Sequence, residues 1–513
     1  MEKQPAYTNY FFKGGYVELG RTLANAFTRC GEDIADSWGL LCDAFFDLGN
    51  LKHIWYAFLW CITFGNSDTA SLEFEWSGFF YSFWALIKFC FALFKLLCVA
   101  VLTSVTTCLF SGVHIIILMT FFLIAYLFFG VIKLADVLYC GAKHISTSCP
   151  KCQKRYSLPA YVCKCGRKHT RMVPSKYGIF KRTCLCGAKL STTFFNGRHK
   201  MPGKYICPNA NCGYDFGGGD KILSTSIAIP VVAGPSAGKT CYITMALSQL
   251  SKTAGGLGLD FAYQENVALG DDYKANIARI ERCELPPKTQ DKRMRYYQFD
   301  LTPKGDKIRN IISICDVAGE AYESSADTGA QQGFKYADAF LMLVDPLSLE
   351  DYRKEVTETE GEAAVTKYGA SMRAMDEVAT TLVNALINMK CISQASMVNT
   401  DVAVVFTKCD IPGLDEKIGK KAVATYMANN PKATRFEAQN KVCVQFLLTY
   451  GGMNFLQGLT AQFKSIQFFT CSALGHSKDG QAFVAEGVEE PILWLIDKES
   501  DRIDLKDKWG KSI

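Results

Sequence analysis

The sequence predicts an α/β fold over roughly residues 222–500: a mostly parallel sheet with helices on both faces. A cysteine-rich metal module and a helical membrane segment precede it. Three observations predict this. From Ile222 onward, short apolar runs alternate with helical patterns, the signature of parallel strands joined by crossover helices. The stretch "AGPSAGKT" at 233–240 lies between one such run and a helix. Upstream, eight cysteines fall in four close pairs between Cys149 and Cys212, behind a stretch almost devoid of charge from Leu96 to Ile132.

Composition sets the frame. A chain of 513 residues allows about three domains. The formal net charge of +6 comes from 56 basic and 50 acidic residues, a balance that makes no case for a nucleic-acid partner. Paired cysteines beside a phosphate-type loop belong in a reducing cytosol, which argues for metal ligation over disulfides. The opening "MEKQPAYTNYFFKGG" lacks the uninterrupted apolar run of a cleavable signal.

Residues 1–75 read as an aromatic-rich helical or interfacial region. Its run "IWYAFLWCITFG" is shorter than the ~20 apolar residues that cross a bilayer, so it is expected at the interface or packed on neighbours. Residues 76–135 read as a transmembrane hairpin with passes at about 79–103 and 113–134 and a turn near "FSG". One interfacial helix plus one pass is the alternative. Lys88 and Lys95 share one helical face, and Lys88 sits deep if the first pass begins at Phe79. His114 near a helix end at the bilayer surface needs no functional role. The basic flank after Ile132 favours keeping that side, and everything after it, in the cytosol of a bacterial inner membrane.

Residues 145–214 carry Cys149 and Cys152, Cys163 and Cys165, Cys184 and Cys186, and Cys207 and Cys212. Each pair supplies two corners of a tetrahedral zinc site, so four pairs predict two structural Zn²⁺ ions in a double zinc ribbon. Sequential pairing would group Cys149/Cys152/Cys163/Cys165 and Cys184/Cys186/Cys207/Cys212; a crossed grouping is the other possibility. The basic residues around His169 and His199 could meet acidic lipid headgroups or simply water. "GYDFGGGDK" reads as a flexible boundary before the α/β domain.

Within that domain the run 233–240 fits [AG]-x-x-x-x-G-K-[ST], with Ala233, Gly234, Pro235, Ser236, Ala237, Gly238, Lys239, Thr240 and the following Cys241 forming the loop and the helix start. Small residues let backbone N–H groups approach phosphate, Lys239 reaches its outer oxygens, and the Thr240 hydroxyl suits Mg²⁺. A Gly-rich turn capping a helix is the plainer alternative. Downstream, "YYQFDLTPKGDKIRNIISICDVAGE" reads as a β-hairpin ending in Asp316, placed for the Mg²⁺ shell, with the Gly319 N–H placed for a γ-phosphate. "DVAVVFTKCD" is a buried strand ending in Thr407, Lys408 and Asp410. The Asp410 carboxylate can accept both N–H donors on the guanine edge, which adenine does not offer, while the Lys408 stem packs on the base. "SIQFFTCSALG" supplies a last strand and the turn Ser472–Ala473, whose backbone N–H can reach the guanine O6.

The ordered set "AGPSAGKT", "DVAG", "TKCD" and "CSAL" resembles the Ras-like and translation-factor-like P-loop GTPases over a little more than half the chain. With a double zinc ribbon and a membrane segment in front, it resembles the bacterial double-GTPase-type proteins, a family suspected of roles in conflict or stress systems. The resemblance implies GTP and GDP as ligands, Mg²⁺ as cofactor, a switch cycle with a protein partner or activator, and nucleotide contacts at Gly238, Lys239, Thr240, Asp316, Gly319, Lys408, Asp410, Ser472 and Ala473.

The sequence departs from that pattern in three places. Thr407 stands where many members have Asn and is expected to keep the loop braced. Glu320 stands where a Gln often orients the attacking water, so slow hydrolysis is expected; Gln331 or Gln332 could orient the water instead. Thr289 is the candidate switch residue for Mg²⁺, the alternative being a loop hydroxyl. An insertion at about Leu347–Thr400 carries the amphipathic "SMRAMDEVATTLVNALINM", suited to a partner or to packing on the sheet. Residues 501–513 read as a polar tail.

Overall fold

The computed structural model describes residues 3–47, 55, 76–149, 151–152, 154–263, 270–282, 284, 286, 295–316, 336–371, 373–388, 398–475 and 483–505. The chain divides into two compact units, Met1–Val137 with Val173–Asn196 and Leu138–Met172 with Gly197–Ile513.

In the first unit, helix α1 (Gly15–Asp47) lies antiparallel to a 67-residue helix α2 (Trp76–Ala142) that begins there. Aromatic pairs fix the register: Phe11 stacks on Phe121 at 4.6 Å between ring centroids, and Phe45 lies 6.2 Å from Phe89. Lys88 is paired to Asp47 of α1 at 3.6 Å. The expected turn at "FSG" is absent, because α2 runs unbroken through Ser111 and Gly112. Neither residue ends a helix unaided. Nearby hydroxyls, Thr103 to the Val99 carbonyl and Thr106 to the Leu102 carbonyl, bond back to the preceding turn within the continuous helix. Ser77–Ala142 is long and apolar enough to cross a membrane by length and composition. At 1.5 Å per residue α2 spans about 100 Å, several times the thickness of a bilayer core. The run "IWYAFLWCITFG" lies outside the described residues apart from Trp55.

The second unit holds a seven-stranded sheet: β1 (Ser224–Ala233), β2 (Leu259–Tyr263), β3 (Arg295–Pro303), β4 (Arg309–Asp316), β5 (Ala339–Val344), β6 (Val398–Phe406) and β7 (Phe463–Thr470). Its order is β2-β3-β4-β1-β5-β6-β7. The last five are parallel and β2 and β3 run antiparallel at one edge, so the expected hairpin is β3–β4, with Phe299 opposite Ile312. Both faces are covered, which is why β1 is buried over all ten residues and β5 over all six. Alternate strand residues feed two cores. Ile229, Val231, Leu341 and Val405 meet helices α3 (Lys239–Thr253) and α6 (Glu490–Glu499) on one face. Val232, Met342 and Val404 meet α4 (Met375–Asn388) and α5 (Arg435–Thr449) on the other.

Two boundaries differ from expectation. The glycine-rich stretch before β1 is packed: Asp215–Gly217 is a strand paired with Lys204–Ile206, and a Cβ on Gly219 would collide with the His199 carbonyl. The tail begins inside the core, since Ile503 and Leu505 are buried against the first face and Arg502 pairs with Asp306 at 2.5 Å. Apolar side chains two residues apart are enough to seat an otherwise polar end.

Candidate nucleotide site and metal centre

Strand order reverses on either side of β1, so a crevice opens at the carboxyl ends of β4, β1 and β5, the place where open parallel sheets bind ligands. The phosphate-type loop fills it. Gly238 takes φ +79°, a left-handed conformation natural to glycine, and starts α3 by accepting the Tyr242 N–H at 2.9 Å. Ser236 adopts φ +60° without being glycine, an arrangement that surrounding contacts must hold. One such contact is Thr407, whose hydroxyl lies 3.1 Å from the Ala237 carbonyl oxygen and 3.2 Å from that of Val344. The expected bracing of the loop by threonine is therefore present.

Lys239 at the head of α3 extends to Asp316 at the end of β4, 3.2 Å apart, with the carboxylate 4% exposed. Thr240 follows on the first turn, its carbonyl capped by the Thr244 hydroxyl at 2.8 Å. Burial pushes the Cys241 thiol up.

The base side of the site is built by β6 and β7. Lys408 takes φ +59° and its ammonium sits 2.7 Å from Asp345 and 2.8 Å from the Gly369 carbonyl. Asp410 accepts the Ser472 hydroxyl at 2.5 Å, and Ser472 in turn accepts the Gly475 N–H at 2.8 Å. The two loops are stitched together by the Cys409 N–H bond to the Cys471 carbonyl, 3.1 Å, with burial pushing both thiols up. Ala473 is partly buried against the first core.

Asp345 was not read from the sequence. It stands just past β5, 2% exposed, and accepts N–H bonds from Leu347 at 3.0 Å and Ser371 at 2.7 Å besides its pair with Lys408. The insertion after β5 thus folds back onto the site, and a Cβ on Gly234 would stand 3.2 Å from the Ser371 hydroxyl and 3.3 Å from a Val378 methyl. The signal available was an acid ending an apolar strand, the same feature that marked Asp316. Thr289, Gly319, Glu320, Gln331 and Gln332 lie outside the described residues.

The candidate metal centre is in the same unit. The sulfur atoms of Cys149, Cys152, Cys207 and Cys212 lie within 4.8 Å of one another, with Cys149–Cys212 at 3.5 Å and Cys152–Cys207 at 3.6 Å. A zinc–sulfur bond of about 2.3 Å gives a tetrahedral edge of about 3.8 Å, so the four thiols fit zinc, and they are too far apart for disulfides. Sequential pairing is thereby overturned, because the strand Lys204–Ile206 pairs with Ala160–Val162 and brings the last cysteine pair back to the first. Burial opposes ionisation of Cys152, yet the Lys154 N–H and the Tyr156 hydroxyl outweigh it and lower the thiol to about 7. The other two pairs form like turns: Cys163 bonds to Arg167 and Gly166 to Cys163, as Cys184 bonds to Ala188 and Gly187 to Cys184. This first cysteine set is joined to the sheet. Ser146 donates to Ser224 at 2.9 Å, and Arg155 clasps Asp338, at the entry to β5, at 2.5 and 3.1 Å.

No curated protein matches the chain. Among solved structures it is similar to the S. cerevisiae Ski7 GTPase-like domain, which was crystallised bound to GTP, at 12% identity and a TM-score of 0.25. That alignment covers 54% of this chain and 51% of the other, so the chain spans about half the length of the structure it matches. Residues 227–441 match the family model of Double-GTPase 2, an interval that opens in β1, contains the phosphate-type loop, Asp316 and the Thr407–Asp410 loop, and closes within α5. Over that interval, a little under half of the chain, the nucleotide domain is similar to the double-GTPase family.

Proposed function

We propose that the chain is a membrane-anchored GTP-binding switch that hydrolyses GTP slowly. The observation that carries this is the convergence of Lys239, Asp316, Thr407, Asp410 and Ser472 at the carboxyl ends of β1, β4, β6 and β7. In this reading the backbone of 234–241 cradles the phosphates, and Lys239 leaves Asp316 to neutralise charge on the outer oxygens. Asp410 and the Ser472–Ala473 turn select guanine. Thr240 and Asp316 are the described residues that would hold Mg²⁺, with Thr289 a further ligand; the ion supplies charge neutralisation on the transferred phosphoryl group. Glu320 positions the water. An anion beside the γ-phosphate is electrostatically unfavourable, so turnover awaits positive charge from a partner.

The family match and the loop geometry support the nucleotide reading, and the length and apolarity of α2 support the anchor. Two structural zinc ions on the four cysteine pairs complete the assignment, one of them at Cys149, Cys152, Cys207 and Cys212.

Single-turnover phosphate release tests the proposal. Wild-type protein is expected to release phosphate slowly from GTP and not from ATP. Lys239→Ala is expected to lower GTP affinity about 100-fold with the circular-dichroism spectrum unchanged. Equal release from ATP would overturn the guanine assignment. Tight GTP binding with no release would replace the switch by a GTP-dependent scaffold.

A further inference from the structure

Between Val137 and Tyr214 the chain has fifteen Lys and Arg and no Asp or Glu, although its net charge is only +6; the remainder is therefore net negative. Eight thiolates on two zinc ions would remove only about four of those positive charges. The excess is local, and it starts at the end of α2.

Inside the first unit this charge meets exposed apolar surface. The hairpin Lys181–Thr183 with Lys189–Ser191 pairs Lys181 with Ser191, Arg182 with Leu190 and Thr183 with Lys189. Cross-strand partners share a face, so Arg182 and Leu190, 8% and 2% exposed, turn inward while Lys181 and Lys189 stand together on the outer face. Past the end of α2, seven large apolar side chains are exposed among the described residues. Three of them belong to this short stretch: Phe180 at 49%, Leu185 at the turn at 42% and Phe195 at 42%. The stretch is also tied to α2, since the buried Asp136 carboxylate accepts the Phe194 N–H at 2.7 Å.

We propose that this hairpin docks on the anionic headgroup surface of the bilayer, its lysines on lipid phosphates and Phe180, Leu185 and Phe195 in the interface. Lysines next to apolar side chains, tethered to the end of an apolar helix, are what such a surface recruits, at about 1 kcal/mol per basic residue. Nucleic acid would take the charge but not Leu185, nor does it account for the bond to α2. The inference rests on the reading of α2 as a membrane anchor.

The test uses the full chain reconstituted with phosphatidylcholine vesicles, alone or with about 30% phosphatidylglycerol. It combines flotation with hydrogen exchange over 176–196. Flotation on both vesicles, with these amides exchanging roughly tenfold more slowly on the anionic ones, is expected. In Lys181→Gln/Lys189→Gln, flotation and zinc content should persist while the roughly tenfold lipid-dependent protection is lost, exchange becoming equal on the two vesicles. Flotation with equal exchange on both vesicles overturns the docking surface and leaves the anchor standing. No flotation on either overturns both. Protection by added RNA in detergent, with none from lipid, assigns the surface to nucleic acid and overturns the proposal.

Discussion

Lys239 and Lys408 each end on a buried aspartate at the carboxyl end of a strand that neighbours β1: Asp316 of β4 for the first, Asp345 just past β5 for the second. The ammonium-to-carboxylate distances are 3.2 and 2.7 Å, and both lysine side chains are 16% exposed. What differs is the rest of each carboxylate's company. Asp345 also holds the N–H groups of Leu347 and Ser371, so it closes the insertion onto the base side of the site. Asp316 stands where the chain enters the "DVAG" segment and where Mg²⁺ is expected. In the proposed reading the same ion pair is a fixed joint on the base side and, on the phosphate side, a placeholder that nucleotide displaces. On that reading guanine recognition is preformed and the phosphate side is left to respond.

Removing each joint separates these roles. Asp345→Ala strands a buried ammonium and two N–H groups, and is expected to destabilise the domain by about 3–5 kcal/mol, read as a lowered melting temperature of the detergent-solubilised chain. Asp316→Asn should cost less stability and act chiefly on Mg²⁺-dependent GTP affinity. Equal melting of the two variants would erase the distinction. A smaller effect is expected from Thr407→Val, which deletes the hydroxyl shared by Ala237 and Val344. The loss should be about 1 kcal/mol, with a several-fold drop in GTP affinity, and Thr407→Asn, which keeps a donor, should restore most of it.

Much of this site could be read in the sequence because parallel strands buried on both faces appear as apolar runs, and the residue ending each run marks the sheet's working edge. Asp316, Thr407, Asp410 and Ser472 carry that mark, and the structure places them at the carboxyl ends of their strands. Asp345 has the same signature, but its partners Ser371 and Lys408 are 26 and 63 residues away, and no local pattern announces them. The zinc pairing failed for a related reason: close spacing identifies ligands two at a time, whereas the grouping of pairs depends on which strands of the ribbon are neighbours. In α2, Ser111 and Gly112 resemble a turn when taken alone, while the long apolar flanks on both sides carry the helix through. The acid-free stretch at 137–214 was hidden by averaging charge over the whole chain.

The claim at the centre of this account is that Asp410, positioned by Ser472, reads the guanine edge. Affinities of wild-type and Asp410→Asn protein for GTP and xanthosine triphosphate, measured by competition against one labelled nucleotide, test it directly. The amide can donate to the 2-oxo group of xanthine and no longer accepts both guanine donors. GTP affinity should fall at least about 100-fold and the preference should invert toward xanthosine triphosphate. An unchanged preference for GTP in Asp410→Asn, with the protein folded, would contradict the assignment.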